Sequence, residues 1–215
     1  MADSPAVPLR VLVVGGTGAF GDRLVTGLLS TTSFDVVIAA RDGARLAASI
    51  ERRGGSPAHD GRARLSALAL DTLGVTPDDL RKAGAFAVID AAGPFQRACH
   101  RLAKAAIAAG LHYIDLADAR DFVAGFGALD AAARAAGVVA LTGASSTPAL
   151  SNAVLDKMTA EWSRVHRVEV AISPGNRAPR GLAVVRSILR CGQARPGLRR
   201  RRVARALGLG NDGAP

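Results

Sequence analysis

Six short stretches of the chain are apolar at nearly every position, and segments with helical spacing separate most of them. The stretches are LRVLVVGG (9–16), FDVVIAAR (34–41), RARLSALALD (62–71), AFAVIDAAGPF (85–95), HYIDLAD (112–118) and VVALTG (138–143). A strand with one wet face alternates polar and apolar residues, whereas a continuous apolar run suits a strand covered on both faces. The intervening segments supply that cover. AFGDRLVTGLLS (19–30) sets Phe20, Leu24 and Leu28 on one stripe, and ARLAASIERRG (44–54) is a second helix stopped by Gly54. VTPDDLRKAG (75–84) carries Thr76 as N-cap with Pro77 in the first helical position. QRACHRLAKAAIAAG (96–110) turns Cys99, Leu102 and Ala106 inward, and FGALDAAARAAG (126–137) ends on another glycine. Doubly buried strands alternating with helices call for a parallel sheet with helices on each side. Right-handed crossovers then lead to a doubly wound α/β fold over residues 9–150.

The first strand hands over to its helix through GGTGAFG (15–21). Glycine loses more backbone freedom on folding than any other residue, so four in seven positions need a reason. The spacing GxGxxG falls on Gly16, Gly18 and Gly21, and a second reading begins at Gly15. In a Rossmann-type sheet the first glycine makes the tight turn, the second lets backbone N–H groups approach a pyrophosphate, and the third brings helix and strand together. The roles fall to Gly16, Gly18 and Gly21 in that order, with Thr17 adding a hydroxyl and Ala19 and Phe20 opening the helix. A helix N-terminus aims free N–H groups and partial positive charge at the phosphates. The motif alone is weak; its position between strand and helix at the head of a βαβ series makes it a dinucleotide site.

An NAD site places an acid near the end of the second strand to hold the ribose 2′-hydroxyl. This chain has Arg41 there, a guanidinium suited to a 2′-phosphate, which points to NADP. Asp42 follows immediately and leaves NAD as the alternative, should its carboxylate turn inward. Asp71 ends the third strand, either meeting the adenine amino group or capping the turn ahead of Gly74. Ala92 and Gly93, small residues in AAGPF at the end of the fourth strand, leave room for a nicotinamide ribose. The only tyrosine, Tyr113, has Ala117 four places on, so the Tyr-xxx-Lys pair of short-chain reductases is absent. Asp115, Asp118 and Asp121 follow the fifth strand. Asp118 either faces the pocket or caps the next turn, and no catalytic residue is assigned.

Past residue 150 the rhythm changes. LSNAVLDKMTAEW suits a helix with Ser151 as N-cap and Val154, Leu155, Met158 and Trp162 along one face. RVEVAIS (167–173) alternates like a half-wet strand, PGNRAPRG is a loop, and LAVVRSILRCG (182–192) is a further helix. Residues 151–194 thus read as the start of a second, α+β domain. Residues 195–215 hold six arginines and one acid, half of the chain's net charge of +10. Such a run either neutralises phosphate backbones or is a solvated, disordered end. Lacking interleaved aromatics, it is read as the latter, and no nucleic-acid partner is expected.

Two cysteines, Cys99 and Cys191, make no disulfide framework, and the four histidines show no metal-ligand spacing, so no metal is expected. No apolar stretch is long enough to span a membrane, and MADSPAVP is no signal peptide, so a cytoplasmic protein is expected.

VLVVGGTGAFG, VIDAAGPFQ, AAIAAGLHYIDLAD, AARAAGVVALTGASSTPALSNAVLD and ISPGNRAPRGLAVVRSIL, in that order, resemble the saccharopine dehydrogenase-like family at its NADP-binding domain. The resemblance implies a pyridine-nucleotide oxidoreductase with an active site between this domain and a following substrate domain. It also implies an unidentified small-molecule substrate, for which amino-acid-derived imines and secondary amines are the family's precedent. A homo-oligomer is compatible with it. Relatives continue through a complete second domain, so a truncated or frame-shifted chain is expected. A non-catalytic nucleotide-binding module or a fragment is the alternative to an enzyme.

Overall fold

A computed structural model describes residues 9–53, 64–96 and 99–171. Its six strands are β1 (Arg10–Val14), β2 (Asp35–Ala40), β3 (Leu65–Ala69), β4 (Ala87–Asp90), β5 (His112–Asp115) and β6 (Ala140–Leu141). They form one sheet in the order β3-β2-β1-β4-β5-β6, every neighbouring pair parallel. The sheet is doubly wound: from β1 the chain builds outward to β3, then returns to the other side of β1 with β4. The order reverses between β1 and β4, where a crevice opens beyond the strand ends.

The helices are α1 (Ala19–Thr31), α2 (Gly43–Arg52), α3 (Pro77–Arg81), α4 (Arg101–Ala108), α5 (Arg120–Gly125), α6 (Asp130–Ala135) and α7 (Ser151–Thr159). Side chains alternate across a strand, so each central strand feeds two cores. Leu12 and Val14 of β1 join Val37, Val88, Leu102 and Ala106 on one face, while Val11 and Val13 join Val36, Ile38, Val25 and Leu46 on the other. Two cores on a single sheet explain why the central runs are apolar throughout. The edges depart from this pattern. β3 buries only Leu65 fully, and β6 shrinks to two residues with Leu141 exposed.

Several expected details change. Phe20 does not belong to the inward stripe of α1 but is 60% exposed; Gly21 and Val25 face the sheet, because the glycine is the residue that permits contact with the strand. Cys99 is exposed rather than inward, and α4 starts only at Arg101. The single helix expected over 126–137 is divided between a 3₁₀ turn at Phe126–Leu129 and α6, and a further short helix, α5, precedes it. Thr76 and Asp79 close a capping box on α3 with Pro77 at its first position. Ser151 does not cap α7: its hydroxyl donates to the Pro148 carbonyl, and Leu150 holds the cap position. Residues 167–171 form no strand, having no neighbour to pair with among the described residues. The helix expected over 182–192 and the basic tail over 195–215 lie outside the described residues.

Candidate functional site

The β1–α1 turn is built by close approach of backbone to backbone. Gly15 has φ +78°, a conformation that L side chains rarely adopt, and its N–H donates to the Ala39 carbonyl at 2.9 Å. A Cβ at Gly15 would lie 2.7 Å from Ala92 Cα, so this turn rests directly on the exit of β4. The tight turn therefore belongs to Gly15, not to Gly16 as the GxGxxG spacing implied. Gly16 is needed instead because a Cβ there would meet Ile38 Cγ2 at 2.8 Å. At Gly21 the added Cβ would stand 2.1 Å from the Gly15 carbonyl oxygen, so the third glycine does bring helix and strand together.

Gly18 is the N-cap of α1 and supplies no side-chain hydrogen bond to the helix. The N–H groups of Ala19, Phe20 and Gly21 lie in the first turn, where no carbonyl within the helix can receive them. Gly18 is exposed, and a Cβ there would meet only the Gly15 carbonyl oxygen, at 3.2 Å. A helix end with bare donors, no capping side chain and open space in front suits an anion. Thr17 sits half-buried at the same bend.

Arg41 follows β2 directly, exposed and without a carboxylate partner among the described residues. Asp42 is committed elsewhere: its Oδ1 accepts from Ala44 N–H at 3.0 Å and Arg45 N–H at 3.1 Å, capping α2. Asp71 lies past β3, exposed, and its Oδ1 accepts from Leu73 N–H at 3.1 Å, the turn-capping alternative; it also borders a cleft of about 430 Å³. A larger hollow, about 620 Å³, lies away from the strand ends between α4 and α6. Its walls are mostly alanine and other apolar residues, with no convergent polar groups.

Beyond β4 the chain runs through Ala91, Ala92 and Gly93 into a cis Gly93–Pro94 bond. Ala92 is exposed beside Gly15. Gln96 Nε2 donates to Asp118 Oδ1 at 3.2 Å, so Asp118 is exposed at the strand ends and tied to the loop after β4. The N-cap position of the next helix is held by Ala119, not by Asp118.

Beneath these loops lies a cluster that motif reading did not single out. Asp90 and Asp115, the last residues of β4 and β5, are register partners and both buried. Asp90 Oδ1 accepts from Ala92 N–H at 2.9 Å, and Oδ2 accepts from the Tyr113 hydroxyl at 3.2 Å. Asp115 Oδ1 accepts from Ala117 N–H at 3.0 Å, Thr142 Oγ1 at 2.9 Å and Gly143 N–H at 2.8 Å. Burial pushes the Asp90 carboxyl up to about 6 against the pull of its two donors, with Asp115 adding a like charge. Burial, reinforced by both carboxylates, pushes the Tyr113 phenol far above its ordinary value. The available signal was an acid ending each of two apolar runs, in VID and YID.

Among the described residues no group of three His, Cys, Asp or Glu side chains is arranged to hold a metal ion, and no helix is long and apolar enough to cross a membrane.

The strand order, the glycine turn and the bare helix end define a Rossmann-type nucleotide-binding domain. The chain belongs to the saccharopine dehydrogenase NADP-binding domain family, whose pattern its residues 11–141 match. The solved apo saccharopine dehydrogenase (L-Glu forming) of Saccharomyces cerevisiae is similar in fold, with a TM-score of 0.52 and 18% identity. That alignment covers 71% of this chain and 31% of the yeast one. The WlbA dehydrogenase of Chromobacterium violaceum, solved with NADH and UDP-GlcNAcA, superposes with a TM-score of 0.51 and 18% identity, over 75% of this chain and 43% of its own. The chain thus spans less than half the length of either. No curated protein matches it in sequence.

Proposed function

We propose that the chain binds NADP(H) across the β1–β4 crevice as the cofactor half of an oxidoreductase. The pyrophosphate lies on Gly15, Gly16, Thr17, Gly18, Ala19, Phe20 and Gly21, where the uncapped N-terminus of α1 supplies donors and partial positive charge. Arg41 takes the 2′-phosphate. The observation carrying that preference is the division of labour after β2: the carboxylate of Asp42 is held by the α2 cap, while the Arg41 guanidinium is exposed with no acid to neutralise it among the described residues. Asp71 lies on the adenine side, and Ala92 and Gly93 border the nicotinamide ribose. The dinucleotide, once bound, accepts or gives up a hydride, and the partner substrate is a small molecule with a carbon–nitrogen or carbonyl group. The residues that would enclose that substrate belong to a second domain beginning near residue 151. A non-catalytic nucleotide-binding module is the second reading.

Titrating the chain with NADPH and NADH by fluorescence tests both parts. NADPH is expected to bind roughly tenfold more tightly, as a charge-assisted bond to phosphate is worth about 1.5–3 kcal/mol. Arg41→Ala is expected to abolish the preference while leaving NADH affinity unchanged. Tighter NADH binding by the unaltered chain would refute the role of Arg41. Gly18→Val is expected to remove affinity for both nucleotides with the fold intact, because its side chain enters the space in front of the helix. Unchanged affinity there refutes the cradle.

A further inference from the structure

The carboxylate cluster sits directly behind the proposed cradle, and its hydrogen bonds lead into it. Asp90 holds Ala92 N–H, and Ala92 is the residue against which the Gly15 turn is packed, too close to admit a Cβ at Gly15. Tyr113 holds the other Asp90 oxygen. The two side chains come from adjacent strands. Asp90 and Asp115 are register partners, and Tyr113, two residues before Asp115, projects from the same face. We propose, resting on the dinucleotide reading above, that Asp90 and Tyr113 are positioning residues for the cradle: the phenol orients the carboxylate, the carboxylate fixes the β4 exit, and that exit fixes the Gly15 turn.

An acid at this place is costly. A buried carboxylate without a cation is disfavoured, and a second one beside it makes matters worse. Among the described residues no basic group offsets the cost. The β1 residues flanking β4 are Val11 to Val14, β5 contributes Tyr113 and Asp115, and α4 leaves Arg101 and Lys104 in solvent while burying Leu102, Ala103 and Ala106. An apolar residue would fill the same volume at lower cost but would leave Ala92 N–H without its acceptor. Asp115 does the corresponding work one strand over, collecting Ala117, Thr142 and Gly143 at the exits of β5 and β6. The paired acids thus tie three consecutive strand ends into one rim.

Two measurements on the full 215-residue chain test this, with NADP⁺ as the probe. In ¹H–¹⁵N spectra, the Ala92 amide is expected to move with pH about a midpoint near 6, where burial places Asp90. The amides of Gly15 to Gly18 should follow the same midpoint. Tyr113→Phe removes one donor to the charged carboxylate and should move that midpoint upward; Asp90→Asn should abolish the transition. By calorimetry each substitution is expected to weaken NADP⁺ five- to tenfold at pH 7.5, and the double variant no further than the weaker-binding single one. Tyr113→Phe keeps the ring stacked on Phe126, centroids 5.8 Å apart, so the fold survives if Asp90→Asn does not. Glycine amides that ignore the transition, together with unchanged affinities, would reduce Asp90 to a local turn former and overturn the proposal. Failure of the unaltered chain to bind either nucleotide removes the dinucleotide reading itself, a result seen before any variant is made.

Discussion

The first strand–helix unit and α7 treat apolar side chains in opposite ways. Val11, Leu12, Val13 and Val14 are each at most 2% exposed, and the turn after them is so close that Gly21 has no space for a methyl group. Around α7, by contrast, Leu150, Val154, Met158 and Trp162 are 48–69% exposed. α7 contacts chiefly the short turn before it, whereas β1 contacts β2, β4 and α1. Both segments are apolar and both have regular periodicity. Regular patterning therefore measures how much surface a segment can bury, while the neighbours decide how much it does bury. The nucleotide-binding half is internally complete in this sense, and α7 has nothing of comparable area to lie against among the described residues.

Substitution at the tightest point should have the largest effect. For Gly21→Val, the obstacle is the Gly15 carbonyl, a backbone atom fixed by the strand, and the expected loss is at least about 3 kcal/mol in urea unfolding. A loss below about 1 kcal/mol would show that the β1–α1 corner yields, and the contrast with α7 would dissolve.

Asp90→Asn probes the same half from beneath, and its sign depends on pH. The folded-state value near 6 lies above the ordinary 3.8, so protons bind the folded chain more readily than the unfolded one. The wild-type advantage is present below pH 3.8 and disappears as the pH rises through 6, worth up to about 3 kcal/mol. The variant lacks this titration. Measured against it by thermal unfolding, the wild type should lose stability between pH 4 and pH 7. A flat difference across that interval refutes a buried, titrating Asp90. Relative to the wild type, asparagine is thus expected to fare best at neutral pH, the same pH at which it weakens NADP⁺.

A smaller effect belongs to α3. Thr76 Oγ1 accepts from Asp79 N–H at 3.3 Å and Asp79 Oδ2 accepts from Thr76 N–H at 3.1 Å. Thr76→Ala should cost about 1 kcal/mol in urea unfolding. The Lys82 and Thr76 donors hold Asp79 down at about 2, so its contribution to the cap is full above the ordinary 3.8 and is lost as the pH falls from there through about 2.

The contrast also separates what sequence could reveal from what it could not. Period and composition identify β1, β2, α1, α3 and the parallel order because those signals are local, as at Thr76 and Pro77, where cap and first helical position are adjacent in sequence. The assignment of φ > 0 to Gly15 instead of Gly16 depended on which backbone lies opposite, and that is Ala92, 77 residues away in sequence. Phe20 was misplaced for a related reason: spacing alone puts it with Leu24 and Leu28, but the stripe that meets the strand is fixed by Gly21. The Asp90–Tyr113 link was hidden because the two residues belong to different strands, and nothing in either run shows that their ends share a register. Residues 167–171 alternate correctly for a strand, yet a strand exists only when another accepts its hydrogen bonds.

The smallest effect is expected on the exposed side of the comparison. Met158 is 69% exposed on α7, so Met158→Ala removes little buried area and should change the unfolding free energy by less than about 0.5 kcal/mol. Alanine also keeps the helical propensity that methionine supplied. Trp162, the only tryptophan, is 62% exposed, and its emission should already be solvent-like in the folded chain, shifting little on unfolding in urea. The two measurements constrain each other. A blue-shifted Trp162 together with a loss above about 1 kcal/mol at Met158 would mean that this face is covered in solution, and α7 would then join the first strand as buried structure. A neutral Met158 substitution with a red emission would keep the two regions apart: one held by its own packing, the other contributing helix without core.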